Sequence, residues 1–412
     1  MLAVIYMVQY VINDGGNDLY IYRLGAETIA DGPGGPGLYE VSQINYPFTY
    51  PPFAALLFVP FALMPKEVGM ALMMLITAGI AWWLGWIITR YVSRRGVRIP
   101  LYEHLGTAGC ASTLALLIWA SGPWRLTTHF GQINAVILLL VLADFLRPAT
   151  RVPRGVLIGI AGGIKLTPLA FGLILLMRKD WRGVASVAGG FVGTIALGFL
   201  AVPGEAAYYW GVAVRNTSRI GVTAFYDNVS LTGIFAHQGV PEPIATVLVV
   251  ALSLFLLVAT AALMRLFIRA NMVFSQVALN AFLMLQISPI SWSHHNTWYP
   301  VLLVALCLEI FPLIMPAARP VVYVLSTFAS VIALVGMYIS PFWLAVLFSP
   351  KYSSHEMIYL PQSGAGLVAG SAPYAAMYLV VALVFLTYWA HRAAIDARAD
   401  SGRFRAPERP AP

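Results

Sequence analysis

Charged residues are scarce in this sequence. Only 10% of the 412 residues are Asp, Glu, Lys or Arg, and 59% are apolar, whereas soluble chains carry about 25% charged residues. This composition excludes a soluble globular protein. A helix needs about 20 apolar residues to cross a membrane, and the stretches long enough to cross or nearly cross are 67–89, 105–121, 183–202, 241–264, 320–339 and 373–390. The sequence therefore predicts an all-α polytopic membrane protein.

Cysteine and paired acidic residues are also rare. The two cysteines, Cys110 and Cys307, both lie in predicted spans, so no disulfide framework is expected. The chain lacks an Asp-x-Asp or a comparable acidic pair, so we expect no metal and no other cofactor. His294 and His295 make a poor zinc site, because adjacent residues on a helix point to different faces and no further ligand lies at a suitable spacing. No internal repeat, soluble domain or long linker is found.

Lys and Arg are unevenly distributed along the chain. Eighteen of the 25 fall in the segments Arg90–Arg98, Arg147–Arg154, Arg178–Arg182, Arg265–Arg269, Arg319 and Arg392–Arg409. Positive residues beside spans are retained in the cytoplasm, so the net charge of +8 is a topology signal and not evidence of nucleic-acid binding. We expect about ten crossings in one domain over residues 1–391, and a disordered basic cytoplasmic tail over residues 392–412.

Three segments do not fit an ordinary single crossing if the basic clusters are cytoplasmic. Residues 1–13 rise only about 20 Å as a helix, so the first helix is expected to be incomplete or to begin upstream; a signal peptide is not expected, because a basic n-region and a cleavage site are lacking. Ala54–Met64 lies between prolines, is too short to span, and is expected to be a juxtamembrane or re-entrant helix on the outer side. Residues 154–177 have basic residues at both ends, which predicts a re-entrant hairpin broken at Lys165–Pro168.

Most of the short polar motifs fall on the opposite, outer side. They lie in the segments Asp18–Tyr22, Phe48–Phe53, His129–Asn134, 203–240 and Ser288–Trp298. Polar side chains at membrane depth are costly unless they face a cavity or one another. Their concentration on one side therefore indicates a site at the outer interface.

Each candidate also has a structural interpretation. Asp18 is as consistent with a solvated loop acid as with a catalytic one, and Asn134 is favoured as a cross-link between helices. The histidine pair is also typical of a membrane-surface anchor beside Trp292 and Trp298. Lys165 is different: a lysine in a re-entrant break requires an anionic partner, and no acid lies nearby in sequence. A phosphate on the substrate would supply one.

Five motifs, in this order along the chain, resemble those of glycosyltransferase family 87. They are Asp18-Leu-Tyr-Ile-Tyr, Phe48-Thr-Tyr-Pro-Pro-Phe, Gly131-Gln-Ile-Asn, Gly163-Ile-Lys-Leu-Thr-Pro and Ser288-Pro-Ile-Ser-Trp-Ser-His-His. The resemblance covers about residues 14–300 and is greatest to the bacterial α-1,2-mannosyltransferases of phosphatidylinositol mannoside and lipomannan synthesis. It implies the GT-C fold and a multi-pass enzyme of the bacterial plasma membrane, active on the extracytoplasmic side, that uses polyprenyl-phosphate sugars.

The resemblance also implies roles for individual residues. Asp18 matches the family's catalytic base, His294 and His295 match the histidine pair at its site, and Lys165 matches the lysine of its Lys-x-Thr-Pro break. We expect Lys165, Arg215 and Arg219 to bind the donor phosphate. The residues expected to contact substrate are Tyr22, Tyr50, His129, Gln132, Asn134, Asp227, Asn228 and Trp292. In the large loop the family's usual Asn-Gln-Ser is replaced by Asp227-Asn228-Val229-Ser230, which leaves the acceptor open.

The expected reaction is mannosyl transfer from polyprenyl-phosphate mannose to a hydroxyl of a glycolipid acceptor. Asp18 would take the proton of the hydroxyl, while the basic residues and a histidine stabilise the departing phosphate. A single carboxylate predicts inversion and an α-linked product, because a retaining enzyme needs a second carboxylate about 5 Å away. Asp14 is the near candidate for that second group.

Three other functions fit part of the pattern. An arabinofuranosyltransferase that uses polyprenyl-phosphate arabinose is the alternative among enzymes. A lipid-linked sugar transporter or flippase would explain the re-entrant break and the lysine, but transporters often have related halves, which this sequence lacks. A structural membrane partner is disfavoured by Lys165 and the histidine pair. The expected partners are the donor, the acceptor and membrane lipids, without nucleic acid.

Overall fold

A computed structural model describes residues 15–32, 37–43, 46–94, 100–147, 151–225, 227–348 and 364–401. The regular structure within these ranges is helical, except for a short antiparallel pair, β1 (Ser42–Gln43) and β2 (Tyr46–Pro47). The predicted all-α polytopic membrane class is confirmed. The chain divides into two compact units. Unit 1 ends at Ala120 and resumes over Trp124–Val222, and unit 2 contains Ser121–Pro123 and the chain from Thr223.

The described part of unit 1 contains the site residues from Asp18 to Arg219. Its α-helices are, in chain order, α1 (Asn17–Ala30), α2 (Pro52–Ala62), α3 (Lys66–Arg94), α4 (Pro100–Ala120), α5 (Gly122–Phe130), α6 (Asn134–Leu146), α7 (Val156–Ile164), α8 (Gly172–Met177), α9 (Trp181–Ala201) and α10 (Pro203–Gly211). The first two residues of α5 are assigned to unit 2. Three 3-10 helices, Thr167–Phe171, Ala213–Arg215 and Thr217–Ile220, complete the unit.

The described part of unit 2 contains the remaining candidates. Its α-helices are α11 (Leu231–His237), α12 (Glu242–Arg269), α13 (Val273–Ile287), α14 (Tyr299–Val304), α15 (Phe311–Leu313), α16 (Pro320–Ile339), α17 (Pro341–Leu347) and α18 (Gly364–Asp400). A 3-10 helix, Ser293–Trp298, precedes α14, and a π-helical turn, Ala305–Ile310, follows it.

Six helical segments in the described chain are long and apolar enough to cross a membrane. They are α3, α9, α12, the segment Ser293–Ala317, α16 and α18, and the bent pair Tyr102–Ala120 and Gly122–Phe130 is a seventh candidate. The expected number of about ten crossings stays a prediction. The first expected crossing, residues 1–13, lies outside the described residues. α6 and α13 have 13 and 15 residues and rise only about 20–22 Å; nearly all of α13 is buried, so protein and not lipid surrounds it.

Residues 154–177 turn back on themselves, as predicted. Gly155, before α7, packs so closely on the backbone of Gly183 that a Cβ atom would overlap the Gly183 carbonyl oxygen. Leu175, in α8, packs against the same glycine, 3.2 Å from the position of a Cβ there. Both ends of the segment therefore lie beside the start of α9, and Lys165 lies at the turn between α7 and the 3-10 helix.

Small residues and one buried acid hold this hairpin in place. Gly155, Gly159 and Gly163 recur every fourth residue and allow α7 to lie directly on α9, where a Cβ on Gly159 would meet the carbonyl oxygen of Val187. Such close approach is how small residues support helix packing in membranes. Asp144, 1% exposed, accepts hydrogen bonds from the N–H groups of Gly155 and Ile158 at 2.7 and 3.1 Å. The start of α7 is thereby fixed to the end of α6.

Two further segments were assigned from sequence. The short helix predicted at Ala54–Met64 is α2, whose 11 residues rise about 16 Å, too little for a crossing. The tail boundary at residue 392 is wrong, because α18 continues past a kink at His391 to Asp400. Ile395 and Ala399 are buried and Arg269 pairs with Asp400 at 2.7 Å, which explains the order of this turn. Residues 402–412 lie outside the described residues.

Candidate active site

Asp18 lies in the first turn of α1, in unit 1. The preceding Gly16 has a left-handed backbone (φ 90°) and donates its N–H to the carbonyl oxygen of His129 at 2.7 Å. Gly131, also left-handed (φ 66°), allows close contact, since a Cβ there would lie 2.7 Å from the Cβ of Leu19. These contacts hold the first turn of α1 against the loop that precedes α6. The substrate contact expected of the His129 side chain stays a prediction.

Gln132 links Asp18 to two tyrosines. Its Oε1 accepts a hydrogen bond from the Tyr22 hydroxyl at 2.8 Å, and its Nε2 donates to the Tyr50 hydroxyl at 3.2 Å. Its side chain also hydrogen-bonds to the carboxyl group of Asp18. Tyr22 and Gln132 are buried, while Asp18 and Tyr50 are partly exposed. The folded chain therefore brings four of the predicted site residues together, and the amide orients the carboxyl group.

Lys165 reaches the same group of residues from the tip of the hairpin. Its Nζ lies 3.5 Å from Oδ1 of Asn134, the first residue of α6, and 5.8 Å from the centre of the Tyr50 ring. Asp18 and Lys165 also interact electrostatically. The sequence offered no acidic partner for this lysine, and the tertiary structure supplies one from α1. Asn134 thus contacts a site residue as well as starting a helix.

The pKa values of Asp18 and Lys165 are shifted in opposite directions. Burial raises the pKa of Asp18 to about 6, although the charge of Lys165 and the hydrogen bond from Gln132 act to lower it. Burial also lowers the pKa of Lys165 to about 8, and the charge of Asp18 opposes that change. At neutral pH the carboxylate and the ammonium ion are both the major forms. A carboxylate with a pKa close to the working pH is well matched to general-base catalysis.

Arg215 and Arg219 are not part of this group. Arg215 ends a 3-10 helix and is exposed. The guanidinium Cζ of Arg219 lies 5.4 Å from the centre of the Tyr39 ring. Among the described contacts neither arginine touches Lys165 or Asp18, and the assignment of both arginines to the donor phosphate stays a prediction.

In unit 2, Asp227 holds the start of the histidine segment. Its carboxyl group accepts hydrogen bonds from the hydroxyl and, at 3.3 Å, from the N–H of Ser293. Burial raises the pKa of Asp227 to about 7, although both bonds from Ser293 lower it. Asp227 is 9% exposed. Its contacts are those of a residue that positions the 3-10 helix Ser293–Trp298.

Asn228 is fully buried, and its amide is saturated by the surrounding backbone. Its Nδ2 donates to the carbonyl oxygens of Thr223 and Pro289 at 2.9 and 3.0 Å. Its Oδ1 accepts from the N–H groups of Ser230 and Ser291 at 3.2 and 2.9 Å. An amide has two donor hydrogens and two acceptor lone pairs, and these four bonds use all of them. These bonds join the large loop to residues 288–293, and the expected substrate contact of Asn228 stays a prediction.

The histidine pair lies in the 3-10 helix Ser293–Trp298. His294 is buried and His295 is partly exposed, and their rings meet edge to face with centres 4.7 Å apart. Nδ1 of His295 accepts a hydrogen bond from the N–H of Trp292 at 3.2 Å, and the partly exposed Trp292 ring contacts Phe225. No metal-ligand cluster of three His, Cys, Asp or Glu occurs among the described residues. The roles of the pair and of Trp292 stay predictions.

Comparison with known proteins decides the family. The family model described as glycosyltransferase family 87 matches residues 48–289. The chain belongs to this family. It is therefore a membrane glycosyltransferase. Within the matched range lie Gln132, Lys165 and Asp227, whereas Asp18 and the histidine pair fall outside it.

Three relatives of this glycosyltransferase are mycobacterial proteins. A polyprenol-phosphate-mannose-dependent alpha-(1-2)-phosphatidylinositol mannoside mannosyltransferase of Mycobacterium tuberculosis is 32% identical over 291 residues, which is 68% of this chain and 67% of the relative. A protein of the same description from Mycolicibacterium smegmatis is 31% identical over 309 residues, 70% of this chain and 69% of the relative. A polyprenol-phosphate-mannose-dependent alpha-(1-2)-phosphatidylinositol pentamannoside mannosyltransferase of that organism is 32% identical over 306 residues, again 70% and 69%. No solved structure is significantly similar to the chain.

Sequence reasoning missed several residues that shape the glycosyltransferase. The sequence did contain a signal for Asp144, because a lone acidic residue in an apolar helix needs a polar partner. The sequence contained no such signal for Tyr374. This residue lies in α18, and its hydroxyl accepts a hydrogen bond from Nδ2 of Asn296 at 3.0 Å. Tyr39 was also missed, although its hydroxyl donates to the carbonyl oxygen of Tyr50 at 2.9 Å. Sequence spacing does not reveal such contacts between distant segments.

Proposed function

We propose that this glycosyltransferase moves a mannosyl residue from polyprenyl-phosphate mannose to a glycolipid acceptor of the phosphatidylinositol mannoside type. The names of its relatives support this donor and this acceptor. The observation that carries the proposal is the pair formed by Asp18 and Lys165 in unit 1, a carboxylate beside a cation. The reaction requires a base for the acceptor proton and a positive group beside the departing phosphate. Asp18 and Lys165 can supply these two functions.

The reaction is a displacement at the anomeric carbon. The acceptor hydroxyl oxygen forms a bond to that carbon while its proton passes to the carboxylate of Asp18. The bond from the anomeric carbon to the phosphate oxygen breaks, and its electron pair stays on the polyprenyl phosphate. The ammonium group of Lys165, held beside Oδ1 of Asn134, stabilises the charge that develops on this oxygen.

The proposed stereochemical outcome is inversion, giving an α-linked product from a β-linked donor. The ionisation of Asp18 responds to Lys165 and Gln132, and no second carboxylate among the described residues contributes. A retaining mechanism would need such a group about 5 Å away. Asp14, the candidate for it, lies outside the described residues. This favours Asp18 as a base over Asp18 as a nucleophile.

We place the site on the outer face of the membrane because the basic clusters mark the other side. Exposed positions on the two sides permit a direct test. In a background with Cys307, which is exposed, replaced by serine, Glu40→Cys and Gln238→Cys should react with an impermeant thiol reagent in intact cells. Ser93→Cys should react only after the membrane is opened; reaction of Ser93→Cys in intact cells would reverse the orientation.

Donor competition tests the function itself. Purified protein is given polyprenyl-phosphate mannose or polyprenyl-phosphate arabinose, each radiolabelled, with a phosphatidylinositol mannoside acceptor. We expect label to move to the glycolipid from the mannose donor and to be released by an exo-α-mannosidase. Preferential transfer of arabinose would establish the arabinofuranosyltransferase alternative. Release of label by a β-mannosidase would overturn the inverting mechanism.

A further inference from the structure

An aromatic cluster in unit 1 contacts Tyr50, which also contacts Lys165. The ring of Tyr39 stacks on that of Tyr209 with centres 5.4 Å apart and meets that of Tyr208 at 5.7 Å. The Tyr39 hydroxyl donates to the carbonyl oxygen of Tyr50 at 2.9 Å. This cluster is therefore joined directly to the residue that contacts both Gln132 and Lys165.

Arg219 lies against this cluster with unused hydrogen-bond donors. Its guanidinium is 5.4 Å from the Tyr39 ring centre, and its Nε is buried without a hydrogen-bond partner. Glu205 lies beside Gly37 near Tyr39, but no ion pair joins it to Arg219 in the described part of the chain. A guanidinium has five N–H donors in a planar fork, and contact with a ring face satisfies none of them.

Lys165 and Arg219 act on different groups. Lys165 influences the ionisation of Asp18, whereas Arg219 influences that of Tyr39 and Tyr209. Tyr50 and Tyr39 lie between them in the chain of contacts. A donor and an acceptor that each carry a phosphate would supply one anion to each of these cations.

We propose that Arg219, with Tyr39 and Tyr209, forms a second anion subsite that binds the phosphodiester of the acceptor's phosphatidylinositol headgroup. The planar guanidinium matches two phosphate oxygens and holds them in a bidentate contact. The Tyr39 ring keeps the guanidinium in place through its face. The subsite rests on the proposed function, and it places the acceptor's lipid end at Arg219 and its sugar end toward Asp18.

The kinetic test pairs two acceptors with three variants. One acceptor is a phosphatidylinositol mannoside, and the other is a synthetic alkyl α-mannoside without phosphate. We expect Arg219→Ala to raise the KM for the phosphorylated acceptor at least tenfold and to change the KM for the neutral acceptor and for the donor less than twofold. Arg219→Lys, which keeps the charge without the fork, should give an intermediate KM. Arg90→Ala, at an exposed arginine of α3, should leave all three KM values unchanged.

Other outcomes overturn the subsite. An equal loss with both acceptors makes Arg219 a structural residue, and a loss confined to the donor KM assigns it to the donor phosphate. A binding measurement separates this result from the fate of the proposed function. Phosphatidylinositol in detergent micelles should raise the Tm of the wild type more than that of Arg219→Ala or Arg219→Lys, while dodecyl phosphate should stabilise all three equally. Equal stabilisation by phosphatidylinositol would refute the subsite whether or not mannose is transferred.

Discussion

The carboxyl group of Asp18 and the ammonium group of Lys165 lie close enough for each to change the ionisation of the other. One comes from the first turn of α1 and the other from the tip of the hairpin of α7 and α8. Because burial shifts the two pKa values toward each other, to about 6 and about 8, the pair is charged over a narrow pH range. The first three predictions concern this pair.

Replacing Asp18 by Asn should remove catalysis but keep the protein folded. Asn preserves the size and polarity of the side chain but does not accept a proton, and loss of a general base costs about 10²–10⁴ in rate. The loss should appear in kcat and not in the donor KM, since the carboxylate acts in the transition state. Glu27→Gln, on the same helix and partly exposed, is the matched control and should lose less than threefold. A loss confined to donor affinity would make Asp18 a binding residue.

The pH profile of kcat/KM should be bell-shaped. Activity rises as Asp18 loses its proton, with a pKa of about 6, and falls as Lys165 loses its proton, with a pKa of about 8. Lys165→Arg should remove the alkaline fall up to about pH 10, because a guanidinium has a pKa above about 12. Lys165→Ala should raise the donor KM more than Lys165→Arg does. An alkaline limb that persists in Lys165→Arg would assign that limb to another group.

Removing the Gln132 amide should move the acid limb of this profile to higher pH. The hydrogen bond from Gln132 lowers the pKa of Asp18, so Gln132→Met should raise that pKa and leave less carboxylate at pH 6. Tyr22→Phe is the control: it removes the hydroxyl that bonds to Oε1 of Gln132 and leaves the contact with Asp18. Identical acid limbs in Gln132→Met and the wild type would show that the amide does not set the ionisation of Asp18.

Adding a methyl group at Gly159 should disturb the position of Lys165. A Cβ there meets the backbone of Val187 and Phe191 in α9, so the hairpin must shift, and such overpacking typically costs about 1–3 kcal/mol. We expect Gly159→Ala to lower Tm and to raise the donor KM. Gly189→Ala, on α9 with open space around it, should leave Tm unchanged or raise it. The two variants can be compared by thermal unfolding in the same detergent and by donor titration; equal behaviour would mean that the glycine stripe does not position Lys165.

Ionisation of the Asp227 carboxyl group should lower the stability of the protein as pH rises. Its pKa is raised from 3.8 in the reference state to about 7 when folded, so the folded state binds more protons and stability falls between about pH 4 and pH 7. Asp227→Asn removes this titration, so the difference in Tm between pH 5 and pH 8 should become smaller. Each kcal/mol of unfolding free energy corresponds to about 2–4 °C in Tm. Asp18→Asn serves as a comparison, because Asp18 has the same sign of shift. If Asp227→Asn keeps the full pH dependence of the wild type, Asp227 does not contribute to it.

Several features followed from the sequence alone. Apolar stretches separated by basic clusters predicted a polytopic membrane protein and most of its long helices. Polar groups are costly to expose to lipid, so segments that cross the membrane must be apolar in composition. The break at Lys165–Pro168 followed from the same cost, since basic residues on both sides exclude a single crossing. Motif order indicated the family and the role of Asp18, and Lys165 stood out as a charge that a re-entrant break does not tolerate without a partner.

Only the tertiary structure decided which polar side chains meet. It placed Asp18 beside Lys165, supplied Gln132 as the amide that orients the carboxyl group, and surrounded the amide of Asn228 with backbone hydrogen bonds. It also placed Arg219 against the Tyr39 ring and Lys165 beside Asn134. Hydropathy indicates which segments leave water, and the basic clusters indicate on which side of the membrane each loop lies. Contacts between residues distant in sequence depend on how the helices pack, and here glycines in α7 and the capping carboxylate of Asp144 determine that packing.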